Sequence, residues 1–385
     1  MIEIIDKSKC SGCAACANVC PRDCIEMSPD ALGFLYPKVD SQVCIDCGLC
    51  AKICPVSNRN SFEENRIESA YATKNRDDDV RKNSSSGGVF SLLAQKVLDN
   101  GGVVYGAAFD EDCRVNHLSA SSKSDLLKLQ GSKYLQSNIA FAYRDAEKDL
   151  KEGKQVLFTG TPCQVNGLNA YLRQEYDNLI TQDLICHGVL SSVVFEKYLS
   201  YRAQKQGAKV QSMTFRDKTN GWKDYAVKIN FDDGSKYSIP HTKDEAMRVY
   251  LKNYALRPSC YKCAFKGKNR TSDMTLADFW GAKNIVPQMD DDKGLSWVIC
   301  RSQKGFEYLQ SILAETENQP VNYDEVVKYN MSAEISSPKP KNDDKFCEEI
   351  LREPFDKVVE KYCRISFASI VKRKIKSIVK RMLEK

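Results

Sequence analysis

The chain has 385 residues and ordinary apolar and charged fractions, 42% and 28%, which suit a soluble globular protein of two or three domains. No apolar run approaches the roughly 20 residues that span a bilayer, so no spanning helix is expected. The net charge of +6 comes from residues 364–385, where eight Lys or Arg stand against one Glu; the rest sums to about −1 and offers no basic face for nucleic acid.

The chain opens Met1-Ile2-Glu3-Ile4-Ile5-Asp6, which shows no basic-then-apolar leader. With 17 cysteines, an odd number, this points to reduced thiols that bind metal in a cytoplasm, and to an anaerobe or a low-oxygen niche. Two copies of C-x-x-C-x-x-C-x-x-x-C-P follow. They are Cys10, Cys13, Cys16 and Cys20 before Pro21, and Cys44, Cys47, Cys50 and Cys54 before Pro55. This is the spacing of a bacterial two-cluster ferredoxin. Three cysteines at steps of three wrap one cubane, and the fourth reaches the other cluster. The expected sets are therefore Cys10, Cys13, Cys16 and Cys54, and Cys44, Cys47, Cys50 and Cys20. Gly12, Ala14, Ala15 and Gly48 let the backbone bend close and aim amides at sulfur. Zinc sites use two separated pairs instead. Cys24 lies outside the pattern and reads as buried or incidental.

Residues 30–40 read as a short hairpin between the cluster loops, and 57–68 as a polar linker. A helix is expected over 88–99, opened by Ser84-Ser85-Ser86-Gly87-Gly88 and closed by Asn100-Gly101-Gly102. Apolar strands are expected at 103–109, 156–159 and 180–186. A hairpin is expected at 227–239, turning at Asp232-Asp233-Gly234-Ser235. Pro338 and Pro340 mark a polar connector. Strands and helices mix without strict βαβ order, so the fold class is α+β (mixed α/β). Three domains are expected: 1–66, a two-[4Fe–4S] ferredoxin-like module; 67–340, a mixed-sheet redox domain; and 341–385, a connector and a C-terminal helix. In that last helix Phe367, Ile370, Val371, Ile375, Ile378, Val379, Met382 and Leu383 share one face. Lys372, Arg373, Lys374, Lys376, Lys380 and Arg381 fill the other. It reads as a basic amphipathic helix on an anionic membrane surface, against a helix docked on protein. The chain would then sit peripherally at the inner face of the membrane.

Beyond residue 70 six motifs occur in order. They are Ser85-Ser86-Gly87-Gly88, the run from Gln130 to Ser137 (QGSKYLQS), and Thr159-Gly160-Thr161-Pro162-Cys163-Gln164. Then come Asp183-Leu184-Ile185-Cys186-His187-Gly188, Arg257-Pro258-Ser259-Cys260-Tyr261-Lys262-Cys263, and Asp278-Phe279-Trp280-Gly281. In this order, over about residues 1–300, the chain resembles the beta subunit family of coenzyme F420 hydrogenases and dehydrogenases. The resemblance implies FAD, a further cluster in the catalytic domain, and a redox partner protein. Relatives include reductases of chlorophyll precursors and bacterial proteins without the deazaflavin. It thus implies flavin and iron–sulfur chemistry more firmly than a substrate.

The residues agree in part. Glycines and free amides before a helix favour a phosphate, although a serine-rich loop is also an ordinary N-cap. With the resemblance, Ser85, Ser86, Gly87, Gly88, Lys133, Tyr134, Gln136, Ser137, Thr159, Gly160 and Thr161 become candidate flavin-binding residues, with Lys133 near pyrophosphate or ring and Tyr134 stacking. Cys163, Cys186, Cys260 and Cys263 are candidates for a third [4Fe–4S] cluster, since strand ends gather at one sheet edge; His187 is a substitute ligand. Against this, Cys163 at a helix start reads as a nucleophile, and Cys186 as plain core. Trp280 packs on a cofactor or in the core. His117 and His241 read as isolated, and Cys113, Cys300, Cys347 and Cys363 as structural. No catalytic residue stands out. The expected function is an FAD-dependent iron–sulfur oxidoreductase exchanging hydride with coenzyme F420 or another organic substrate. The alternatives are an electron-transfer subunit without flavin, a reductase of envelope or polysaccharide precursors at the membrane, and a Cys163 transferase.

Overall fold

The computed structural model describes residues 1–58 and 68–365. The nine residues 59–67, most of the expected linker, lie outside that description, as does the expected basic helix from residue 366 on.

The first 58 residues fold around two cysteine loops and one hairpin, β1 (Ile25–Pro29) against β2 (Leu35–Val39). Asp30 closes its turn by accepting from the amides of Leu32 and Phe34, both at 3.0 Å. Each cysteine loop enters a one-turn helix, Ala15–Asn18 or Leu49–Lys52, through a left-handed residue: Ala14 at φ 60° and Gly48 at φ 71°. That conformation suits glycine and is tolerated by alanine only at a cost.

An eight-stranded mixed sheet forms the main body. Its strands are β3 (Ser69–Asn75), β4 (Val103–Phe109), β5 (Val115–Ala120), β6 (Val156–Thr159) and β7 (Leu179–Leu184), then β11 (Met274–Asp278), β12 (Ser296–Cys300) and β13 (Thr316–Pro320). They lie in the order β13-β3-β12-β11-β7-β6-β4-β5. The centre, β4-β6-β7-β11, is parallel. The flanks are antiparallel. Strands β6 and β12 are buried along their whole length, as covered sheets require. Between β7 and β11 the chain builds a second sheet from β8 (Val210–Asp217), β9 (Ala226–Phe231) and β10 (Lys236–Pro240).

Residues 341–365, given to a connector and tail by sequence, hold two helices, Asp343–Arg352 and Phe355–Cys363. Their Phe346, Ile350, Phe355, Val358 and Val359 join the core of the second sheet, beside Tyr198 and Met247. A local pattern could not show this, because the partners lie roughly a hundred residues away. The strand expected to 186 ends at Leu184, which leaves Cys186 in the loop beyond it. No helix among the described residues is long and apolar enough to cross a membrane.

The cysteine module shares a core with the main body. Cys13, Ala14, Ala15 and Ile53 pack with Tyr105, Tyr143, Phe158, Val165 and Leu168. The Tyr143 hydroxyl lies 2.8 Å from the carbonyls of both Cys13 and Gln164. Arg144 Nε donates to Asn18 O (2.7 Å) and Nη2 to Asp23 Oδ1 (2.5 Å). Gly167 makes this approach feasible. A Cβ there would stand 2.6 Å from Tyr143 Oη and 3.0 Å from Cys13 Cβ. Gly167→Leu should therefore destabilise the chain by about 1–3 kcal/mol through overpacking. The check is the denaturant midpoint of anaerobically purified protein, which should fall.

Candidate functional site

The two cysteine loops close two small voids with apolar walls. Cys10, Cys13, Cys16 and Cys54 line the inner one, with Ile2, Ile4, Met27, Pro37 and Val56. Cys20, Cys44, Cys47 and Cys50 line the outer one. Each void thus takes three thiols from one loop and the fourth from the other. Amides reach sulfur: Ile2 N donates to Cys50 Sγ (3.2 Å) and Asp46 N to Cys44 Sγ (3.4 Å). Burial pushes the Cys13 thiol up to about 12, with Cys10 and Cys54 adding to the shift. Thiols crowded in this way hold protons unless cationic metal replaces them. Among the described residues, no three His, Cys, Asp or Glu side chains converge tightly enough for a single metal ion. The thiols ring the two voids instead. Cys24, read as incidental, also lines the outer void, and its sulfur lies 3.4 Å from Cys20 Sγ.

A third thiol set gathers at the sheet edge. Cys163 sits in the first turn of helix Pro162–Leu172, which a Thr161–Gln164 capping box holds. Cys186 follows β7, and Cys260 lies in the turn Pro258–Lys262 with Cys263 as its cap. All four line one cavity of about 50 Å³. Burial pushes Cys163 well above the ordinary thiol range, and Cys186, Cys263 and Cys260 push it further. An activated nucleophile needs the opposite shift. Cys186 lines this cavity and is not plain core. A half-buried lysine and a buried arginine stand near the thiols. Lys266 Nζ donates to the carbonyls of Cys186 and Ser332, both at 2.5 Å, and Arg270 Nη1 reaches Asp183 Oδ2 at 3.2 Å. His187, held by Asn253 Oδ1 at 2.6 Å, lines this cavity and the next one.

That next cavity is large, about 620 Å³. The C-terminal ends of β6, β7 and β11 open into it, where open α/β sheets bind ligands. Ser85, Ser86, Gly88, Lys133, Tyr134, Ser137, Thr159, Gly160 and Thr161 all line it. The loop 84–88 meets it at the N-terminus of helix Val89–Asp99.

Two candidates lie elsewhere. Gly87 packs on the sheet: its amide donates to Ser296 Oγ (2.9 Å), and a Cβ would come within 2.5 Å of Thr73 O. Gln136 turns to the cysteine module, donating to Ser11 O (2.8 Å) and Gly12 O (3.1 Å). Lys133, Tyr134, Leu135 and Ser137 reach the cavity and Gln136 does not, because its amide is held by Ser11 O, Gly12 O and Arg257.

Lys133 Nζ donates to Gln130 O (2.7 Å) and Lys128 O (3.0 Å), and burial pulls its pKa down to about 7. The Tyr134 ring stacks on Tyr250 (4.6 Å) and meets Phe215 edge-on (5.1 Å), so it forms part of a built aromatic wall. Trp280 lines the cavity and stacks on Trp222 at 4.7 Å. Arg216, which sequence reading missed, lines it too. It pairs with Asp278 and lies over Tyr225 at 4.6 Å. Its only sequence signal was a charge at the end of an alternating strand.

Two cysteine-ringed voids on a docked module define an iron–sulfur electron-transfer protein. A 4Fe-4S dicluster domain profile matches residues 9–58. Profiles for coenzyme F420 hydrogenase/dehydrogenase beta subunit match residues 70–142 (its N-terminal part) and 153–326 (its C terminus). Together these two cover more than half of the sequence, and the chain belongs to the coenzyme F420 hydrogenase/dehydrogenase beta subunit family. A chain of the F420-reducing [NiFe] hydrogenase complex from Methanosarcina barkeri, solved as a xenon derivative, is similar with a TM-score of 0.48. It shares 18% identity over 78% of this chain and 93% of that one. No curated protein matches.

His117, taken as isolated, proves to support the cavity. Its Nδ1 lies 3.1 Å from Ser137 Oγ, and its ring stacks on Phe158 at 4.8 Å. Burial lowers its pKa to about 4 from an ordinary 6.5. Between those values the unfolded chain binds the extra proton, so stability is complete above about 6.5 and is lost as pH falls toward 4. The loss amounts to about 3 kcal/mol at roughly 1.4 kcal/mol per unit. His117→Gln should flatten this acid limb in denaturant midpoints measured from pH 7 to pH 4.

Proposed function

We propose that this chain is an iron–sulfur flavoprotein oxidoreductase with three [4Fe–4S] clusters and one FAD. The observation that carries the reading is the order of the cavities. The inner void shares Ser11 and Val56 with the third thiol cavity, which in turn shares Thr161, Cys186, His187, Gly188 and Val189 with the large one. Thiol rings thus lead from the exposed Cys47 to a space of flavin size.

Cys10, Cys13, Cys16 and Cys54 hold the inner cluster in this reading, and Cys20, Cys44, Cys47 and Cys50 the outer one. Cys163, Cys186, Cys260 and Cys263 hold the third. The residues fit that role, since the half-buried Lys266 ammonium, bonded among the described residues to the carbonyls of Cys186 and Ser332, gains a counter-charge from thiolates. The loop 84–88 offers amides and the positive end of a helix to a phosphate. Lys133 adds a charge that an anion would restore to its protonated form. Gln164 Nε2 (2.8 Å) and His117 hold Ser137 at the cavity wall, and the Tyr134–Tyr250 cluster keeps water away. When bound, the clusters supply single electrons and the flavin converts pairs of them into a hydride. The substrate is an organic acceptor such as coenzyme F420, and a partner protein exchanges electrons at the outer end.

Anaerobic purification should yield about one FAD and about twelve irons per chain. Cys263→Ser should lower the iron to about eight while leaving the dicluster signals unchanged. About eight irons and no flavin in the unaltered chain would favour a plain electron-transfer subunit and sink this reading.

The tail adds a second proposal, carried by its balance of +7 over residues 364–385. It brings the chain to an anionic membrane surface. Deleting 365–385 should abolish sedimentation with phosphatidylserine vesicles; undiminished binding would remove the idea.

A further inference from the structure

Arg257 is 1% exposed, among the most enclosed charged groups in the described structure. It precedes the turn that carries Cys260, whose amide donates to the Arg257 carbonyl at 2.8 Å. Its side chain runs the other way, into the cysteine module. Nε donates to Cys10 O and Nη2 to Leu35 O, both at 2.9 Å; Nη1 donates to Gln136 Oε1, also at 2.9 Å. Nη2 also points at Cys10 Sγ from 3.6 Å. The guanidinium lies 4.4 Å over the Tyr36 ring. The inner loop presses against it: Gly12 has φ +69°, and a Cβ there would fall 2.7 Å from Nη1.

Among the described residues no carboxylate forms an ion pair with this guanidinium. A buried charge without a counter-charge is strongly unfavourable. Every oxygen it bonds is neutral, burial keeps the Tyr36 phenol beside it protonated, and the thiol within its reach is that of Cys10.

We infer that Arg257 is the fixed counter-ion of the inner cluster and holds its reduction potential above that of the outer cluster. This rests on the cluster reading given above. A cation at a ligand sulfur stabilises the reduced, more negative cluster and so raises its potential. Among the described residues the outer ring has no equal. Arg22 lines it but is exposed to screening water, and the terminal ammonium of Met1 is taken by Asp46 at 3.0 Å. Water near the exposed Cys47 also favours the reduced outer cluster, but mobile solvent dipoles act more weakly than a desolvated unit charge in contact. The order of potentials gives the relay a direction. A one-electron carrier protein reduces the outer cluster; one electron then leaves that cluster, oxidising it, and enters the inner one, reducing it. Arg257 is a positioning residue in this relay; its guanidinium reaches Cys10 Sγ at the inner ring, and it also lines the third thiol cavity, where its charge acts on Cys260.

The test is a redox titration of the anaerobic full chain followed by electron paramagnetic resonance, with Cys47→Ser used to assign the outer signal. The inner signal should appear at the higher potential. Arg257→Gln should lower the inner midpoint and leave the outer one in place, with iron content unchanged. Arg257→Lys, which keeps the charge, should restore most of the shift. An inner midpoint unmoved in Arg257→Gln at full iron overturns the inference. Should Arg257→Gln lose iron, the unaltered chain decides, and an inner midpoint at or below the outer one overturns it. An unaltered chain without cluster signals overturns the cluster reading itself.

Discussion

Charge compensation away from water governs this structure. Thiols held protonated by burial lie beside the buried guanidinium of Arg257 and the half-buried ammonium of Lys266. Arg257 meets Cys10, and Lys266 lies over Cys186. Neither partner is stable in isolation inside a protein, because a desolvated charge is costly. Arg257 alone of the two crosses the seam to the module, where it bonds Cys10 O and Leu35 O. The same pairing explains why the seam holds a shared apolar core, with Tyr143 and Gly167 closing on Cys13.

The sheet supplies the other half. Parallel strands β6, β7 and β11 end together, and their loops diverge at one edge. Backbone groups at such an edge have no ladder partners, so a crevice forms there. The chain fills one flank of that crevice with thiols and the other with small polar residues and amides. Cys186 belongs to both flanks because β7 stops two residues earlier and releases it into a loop. The third thiol set therefore lies against the large cavity, with Cys260 and Cys263 supplied by the segment that also builds the second sheet.

Polar residues behind the walls make the site rigid. His117, kept neutral by burial, and Gln164 both hold Ser137. The Thr161–Gln164 capping box fixes the helix start that carries Cys163. Arg216 and Trp222 both bond Asp278 at the end of β11. The far core, built from the second sheet and the two helices after residue 342, holds Tyr250 against Tyr134 and so shapes the cavity from behind.

Local repeats made part of this legible. Two cysteine strings with fixed spacing point to two loops with crossed thiol sets, and the two voids each take three thiols from one loop and the fourth from the other. Apolar runs likewise marked β4, β6 and the hairpin of β9 and β10. Alternation along one segment could not tell which way Gln136 and Gly87 face, because that choice depends on what packs opposite. Nor could it show that Cys24 stands beside Cys20, or that residues 343–363 complete a core begun near residue 194. The amino-acid string by itself determined the donor chemistry and the family, both of which reside in residue type and spacing. Tertiary structure alone decided the order of the thiol rings and the placement of Arg257 against Cys10, because two residues 247 positions apart meet only when the whole chain has packed.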